Sequence, residues 1–543
     1  MSSIRPPSLG PIVGHTTSNS CRLWIRAADP GDNDANLDEN RRTIGVITVL
    51  KDNDEPDPGD TKRTYYFRLH REYDRTGTFN LGKEKGLNRD GDMFALTPDT
   101  TYKVRMGTLA LDDAFDNDQI VCDEELTRRL PDPCVWAEEL CKLPKENSEA
   151  EFRTFPEGML NDLSFILGSC RYPGLFWKKK HADRIFGPIL NHIKNNPYGN
   201  DPRFVLMIGD QIYADMFHRT VPIGITDTNQ EFQDRYHEAF GSRNMRQLLR
   251  NIPAYMILDD HEIEDNWHQD RIIDRKKRVL FQLAIGAYMS YQWSHGPRNF
   301  DGRLFYHFEC GGFPFFVLDE RTQRYKDDEP CLDDNHLLGR PSIDPENEPT
   351  QLDHLCNWLT VQQNTYNERP KFIVSPTVFV PNPVVTIKSD KQKNNSDAWP
   401  AFPKTRKSLL NHIINKNIQN VVFLSGDIHC SNVAEIEFSG SAAASKLKAF
   451  SITSSAFYWP FWFADGEPSD YVHDSKDKRQ LDTFVINESE GTIMDYKARN
   501  FIQKDNFCQV NVDWQNKKIL VRAIGQKGEL MCESTLDLNT PNA

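Results

Sequence analysis

The chain has 543 residues, 38% hydrophobic and 11% aromatic, which supplies a large core and excludes a disordered chain. Its net charge of −14, from 79 acidic and 65 basic residues, argues against stable nucleic-acid binding, which runs on phosphate neutralisation; the acid surplus either keeps a large protein soluble or is met in part by bound cations. No apolar run reaches the roughly 18 residues of a membrane span, and eleven scattered cysteines without a CxxC exclude a zinc ribbon and a disulfide scaffold.

Residues 1–7 lack the apolar centre of a secretory signal. The expectation is therefore a cytoplasmic protein, or a chain whose export leader has been removed. Residues 22–26, 44–49 and 64–69 alternate or run apolar at strand length. Residues 96–102, Leu-Thr-Pro-Asp-Thr-Thr-Tyr, resemble the turn-plus-tyrosine step of a fibronectin-type sandwich. An amino-terminal all-β sandwich over 1–156 is the reading, with polar loops at 28–41 and 51–62.

From about residue 160 the pattern turns to strand, helix, strand, which implies a layered α/β core over 157–543. Ile185, Ile189 and Ile193, with Phe186 and Leu190, make one apolar helix face. Residues 230–251, 275–293 and 404–416 also read as helices. Segments 325–350 and 383–398 read as surface insertions or lids. Strands return at 508–513 and 519–524.

Five apolar runs in this part stop on residues that ligate metals. Residues 165–170 end on Cys170. Residues 204–210 end on Asp210, with Tyr213 three places on. Residues 255–258 lead into Asp259, Asp260, His261 and Glu262. Residues 315–318 lead into Asp319, Glu320 and Arg321, and residues 421–426 into Asp427 and His429. Short unbroken apolar runs read as strands buried on both faces. In open α/β sheets, sites gather beyond the carboxyl ends of such strands. One polymetal site is the reading.

The Asp210 carboxylate can bridge two cations, the Tyr213 phenolate suits a hard trivalent ion such as ferric iron, and Cys170 can add a thiolate. Each residue also has a plainer reading. Cys170 alone is a buried thiol, 259–262 a solvated helix start, and Asp319 with Arg321 a structural ion pair. The aromatic run 457–463 either walls a substrate pocket or packs sheet against helix.

Taken in order, Ser169-Cys170, Gly209-Asp210-x-Ile212-Tyr213, Asp259-Asp260-His261-Glu262, Leu318-Asp319-x-Arg321 and Ser425-Gly426-Asp427-x-His429 resemble the motifs of the PhoD-like alkaline phosphatases, a branch of the calcineurin-like metallophosphoesterases. Residues 10–17, Arg22-Leu23-Trp24 and Asp397-x-Trp399-Pro400 share the likeness, which runs from about residue 8 to about 525. The resemblance implies two β-sheets flanked by helices, and a site of one ferric ion with one or two calcium ions. Cys170, Asp210, Tyr213 and His429 would hold the iron, with Asp210 bridging and Asp260 and Asp427 on calcium. A second calcium would take Asn266 or Asp265. Two-metal relatives elsewhere in the superfamily carry Asn where this chain has Asp260 and His where it has Asp427. That departure disfavours a zinc or manganese pair.

The reaction implied is hydrolysis of phosphomonoesters, and of phosphodiesters, by metal-activated hydroxide attacking in line. Phosphate-ester small molecules are the expected partners; oligomeric state is not legible. His261 would act as general acid. Arg321 would neutralise phosphoryl oxygens, and Asp259 and Asp319 would orient His261 and Arg321. Two alternatives stay open: hydrolysis of nucleotide pyrophosphate or phosphotriester bonds at the same site, and a non-catalytic, metal-stabilised binding protein.

Overall fold

The five apolar runs form strands Asp162–Gly168, Pro202–Ile208, Ala254–Ile257, Phe313–Val317 and Val421–Ser425, buried along almost their whole length. The structure, a computed structural model, describes residues 3–28, 42–87, 92–111, 126, 128–174, 179–216, 226–299, 301–326, 332–384, 397–461 and 466–539. Most of the expected 28–41 loop, residues 327–331 and 385–396 of the two insertions, and Trp462 and Phe463 lie outside these.

Among the described residues two large mixed sheets form the carboxyl-terminal part. One has six strands in the order Ala254–Ile257, Pro202–Ile208, Asp162–Gly168, Asn506–Asp513, Lys518–Gly525, Leu530–Asp537. The first three run parallel and the last three antiparallel. The other has eight, in the order Tyr306–Cys310, Phe313–Val317, Lys371–Ser375, Val421–Ser425, Lys448–Thr453, Ser431–Ser439, Thr492–Ile502, Phe484–Asn487. Its second to fifth strands are parallel.

Alternate side chains of a strand point to opposite faces, and this sorts the core into layers. Phe165, Leu167, Phe204 and Leu206 meet Phe315, Phe372, Val422 and Leu424 between the sheets. The Phe165 and Phe204 rings stack at 5.2 Å, those of Phe315 and Phe372 at 4.6 Å. Ile166, Val205 and Met207 face outward onto helices Phe186–Asn195, Asn229–Gly241, Arg243–Leu249 and Arg275–Tyr291. Phe316, Ile373 and Phe423 face helices Gln351–Tyr366 and Pro403–Asn415 on the other side. Helix, sheet, sheet, helix is the layering expected.

The helix expected over 230–251 is two. Ser242 leaves the helical region at φ −65°, ψ 144°, just after Gly241. The second helix is capped from outside: the Asp183 carboxylate accepts from Asn244 N at 2.9 Å and Met245 N at 3.0 Å.

The amino-terminal part is β-rich, with one sheet of five strands and one of three among the described residues. Tyr102 makes the tyrosine step, its hydroxyl accepting from Thr97 N at 2.9 Å. This part shares apolar packing with the layers behind it, since Leu9, Ile12 and Trp24 belong to the same cluster as Ile166 and Val205. An ionic junction adds to it. The Asp74 carboxylate accepts from Arg26 Nε and Nη2, both at 2.8 Å, and lies 2.8 Å from His237 Nε2, with the Tyr291 hydroxyl also donating.

Candidate functional site

Parallel strands end together, so the residues after them meet at one pole of the two sheets. Cys170, Asp210, Asp427 and His429 sit at φ 56°, 56°, 67° and 51°, a left-handed conformation costly for side chains with a Cβ. Such outliers persist where surroundings over-determine them, and they cluster at functional sites. Gly209, at φ +77°, allows a close approach: a Cβ there would lie 2.3 Å from Asp259 Cβ.

The expected ligands converge. Cys170 Sγ lies 3.2 Å from Asp210 Oδ2, and the Tyr213 hydroxyl 3.5 Å from the same oxygen. Ser455 Oγ donates to Cys170 Sγ at 3.1 Å. Asp210, Asp260 and His261 each offer a ligand atom within 4.8 Å of the others, and all three are buried. The His429 ring stacks on Trp459 at 3.7 Å, and the Tyr213 ring on His261 at 4.3 Å. Trp459 and Phe461 thus wall the site, while Phe457 packs in the core under Gly168. Asn266 N donates to Asp260 Oδ2 at 2.7 Å, and Asp265 is exposed at the rim.

Three partners come from residues to which the sequence reading gave no role. Asp215 Oδ1 lies 2.8 Å from His261 Nδ1, which leaves Nε2 for a proton or a ligand. Glu262 is a clamp: its carboxylate accepts from Asp210 N, Gln211 N, Asp259 N and Gln292 Nε2 at 3.1, 2.6, 2.9 and 3.2 Å. Asp397 takes Arg321 through both terminal nitrogens, at 3.1 and 2.6 Å, and pairs with Arg324 as well.

Two role expectations change in this light. Arg321 is wholly buried, with Nε on Asp259 Oδ1 at 2.5 Å and its fork on Asp397. No fork remains for a phosphoryl group, so it braces the acidic loops instead. Asp259 therefore meets Arg321 rather than His261, whose orienting carboxylate is Asp215. Asp319 reaches Arg321 only through its backbone N at 3.2 Å and caps the turn with Thr322 N at 2.9 Å.

The electrostatics favour a cation. Burial and the neighbouring Asp210 hold the Cys170 thiol well above its ordinary pKa, and burial with Asp210 does the same to the Tyr213 phenol. Burial lifts Asp210 and Asp427 too, with Asp259 and Asp260 adding repulsion. Asp260 stays low against burial because Arg321 and His261 face it. Burial, then the charge of His261, pushes His429 down to about 3, the neutral form that ligates metals. Asp210 Oδ1 and Asp259 Oδ2 are buried with no hydrogen-bond donor among the described residues, though buried carboxylate oxygens are ordinarily satisfied. Thiol, phenol, imidazole and unspent carboxylate oxygens together fit a multivalent cation site. A surface cleft of about 550 Å³, lined by Asp215, Glu264, Asp265, Arg271, Asp274 and Lys277, opens on the Asp215 side.

A family model described as PhoD-like phosphatase matches residues 181–502, which takes in Asp210 to His429 and begins after Cys170. Alkaline phosphatase D of Bacillus subtilis (strain 168) is 25% identical over 315 residues, 54% of this chain and 50% of that protein. The chain thus spans about half the length of the curated relative it matches. A solved structure described as "Structure of PhoD" superposes with a TM-score of 0.62 at 17% identity, over 99% of this chain and 90% of that one; this shows the fold alone.

Proposed function

The chain belongs to the PhoD-like phosphatase family, and we propose that it hydrolyses phosphate esters, mono- and diesters alike, at a cation centre on the strand ends. The observation that carries this is the buried group Cys170, Asp210, Tyr213, Asp260, His261 and His429, with the half-buried Asp427 next to Cys170 and an Asp210 oxygen without a donor among the described residues. Cys170, Asp210, Tyr213 and His429 would hold a ferric ion, and Asp210, Asp260 and Asp427 calcium, the harder all-oxygen set suiting that ion. When bound, such cations activate water and neutralise phosphoryl charge.

The chain's own residues supply the rest. His261, held through Nδ1 by Asp215, presents Nε2 to donate a proton to the leaving oxygen. Asp260, Asp210 and Asp215 overcome burial and hold its pKa well above the ordinary value. Arg321 and Asp397 fix Asp259 and Asp260, and Glu262 fixes the backbone of Asp210. Trp459, Phe461 and Tyr213 offer an aromatic wall to an aryl or nucleoside leaving group.

The test is hydrolysis of p-nitrophenyl phosphate and bis(p-nitrophenyl) phosphate by the protein as purified, after chelation, and after return of iron and calcium. Turnover of both that falls with chelation and recovers with the metals supports the proposal. No turnover of either ester in metal-loaded protein refutes it.

A further inference from the structure

A second cavity shares no lining residue with the site at the strand ends. It has a volume of about 380 Å³ and sits between the amino-terminal strands Thr64–Arg68 and Thr76–Leu81 and the end of helix Arg275–Tyr291. Pockets of a few hundred Å³ with apolar walls and a few polar groups are the usual form of small-molecule sites. Here Phe67, Leu87, Met289 and Trp293 give apolar walls, and Tyr73, 51% exposed, stands at the rim.

The charge beside those walls is unbalanced. Arg298 lines the cavity, and its guanidinium faces that of Arg22, which burial and this repulsion together push down to about 10. Glu84 is the carboxylate near both. Arg22 Nε, Arg298 Nε and Trp293 Nε1 are buried with no acceptor among the described residues. Buried donors left unpaired cost free energy, and crowded guanidiniums add to it. An acidic oxygen beside Arg298 would relieve both.

We propose that this cavity is a binding site for a small amphipathic organic anion, its apolar body against Phe67, Leu87 and Trp293 and its acidic group toward Arg298. Carboxylates and phosphonates or phosphates share the chemistry, and the experiment separates them.

The probe is 8-anilinonaphthalene-1-sulfonate, titrated calorimetrically into the protein as purified, then displaced by decanoate, phenylphosphonate or neutral decanol. One site per chain is expected, displaced by either anion and not by decanol. Met289→Glu, which sets a negative charge at a rim position 37% exposed, and Arg298→Gln each weaken binding about tenfold or more. Trp459→Ala, which changes no residue that lines this cavity, leaves it unchanged. Displacement by decanoate alone marks a carboxylate site, and by phenylphosphonate alone a phosphate-type one. Absence of saturable binding overturns the proposal, as does binding that both rim variants retain, binding lost with Trp459→Ala, or displacement by decanol equal to that by decanoate.

Discussion

Glu262→Gln is the perturbation whose cost the geometry fixes best. Glu262 Oε2 accepts from Asp210 N and Asp259 N, and Oε1 from Gln211 N and Gln292 Nε2, inside a fully buried pocket. Glutamine has the same shape and one carbonyl oxygen. Whichever way its amide turns, two of these donors face an NH2 group. A buried donor left unsatisfied costs about 1–3 kcal/mol, so the change costs roughly 2–6 kcal/mol. The loss falls on the loops that carry Asp210 and Asp259, so retained metal drops with stability. Urea unfolding followed by circular dichroism, with metal content of the folded variant measured alongside, reads both. A variant within about 0.5 kcal/mol of the parent, the range of an inert surface change, and with full metal would refute the clamp.

Arg321→Gln breaks a buried ion pair and should cost about 3–5 kcal/mol in unfolding free energy; a well-folded variant with a raised KM alone would return Arg321 to phosphate binding. Gly209→Ala places a Cβ at φ +77° and 2.3 Å from Asp259 Cβ, and should lose at least about 1–2 kcal/mol together with bound metal, read by thermal melting and elemental content. Asp215→Asn leaves His261 without its charged partner, and kcat should fall about 10²-fold or more with metal content unchanged; loss of metal instead would make Asp215 structural. At the amino-terminal junction, His237 and Arg26 hold the Asp74 carboxyl below its ordinary pKa despite burial. Its contribution is present above the unfolded value of about 3.9 and fades as pH falls through the folded one. The stability gap to Asp74→Asn, about 3–5 kcal/mol at pH 7, should therefore narrow below about pH 4 in acid unfolding curves; a gap constant down to pH 2 would show that the pair is not ionic.

The strand ends were legible because strands buried on both faces must read as unbroken apolar runs, and the residue after each run stands where a site can form. Helix Gln351–Tyr366 is masked in the sequence by the charged insertion it follows directly, although Thr350 and Asp353 make a capping box at its start. Strand Ser431–Ser439 also carried its signal, alternating Ile436 and Phe438 inward with exposed Glu437. Asp215, Glu262 and Asp397 are different. Asp215 ends no apolar run, and its contact with His261 spans 46 residues. Glu262 works on backbone N–H groups that no sequence pattern exposes. Asp397 stood in a quoted motif, yet only folding brings it the 76 residues to Arg321. Spacing finds groups that share a strand end, and not those that fold in from elsewhere to hold them. For the same reason Arg321 reads as a free phosphate fork: the acids that occupy it come from the end of another strand, Asp259, and from the loop before Trp399, Asp397.

A cation centre on the strand ends must show in the elemental content of the protein as purified, with no metal added. Iron near one per chain together with calcium is expected, both reduced in Cys170→Ala and Asp210→Asn variants that still fold. Absence of any stoichiometric metal, even after reconstitution with iron and calcium, would contradict it.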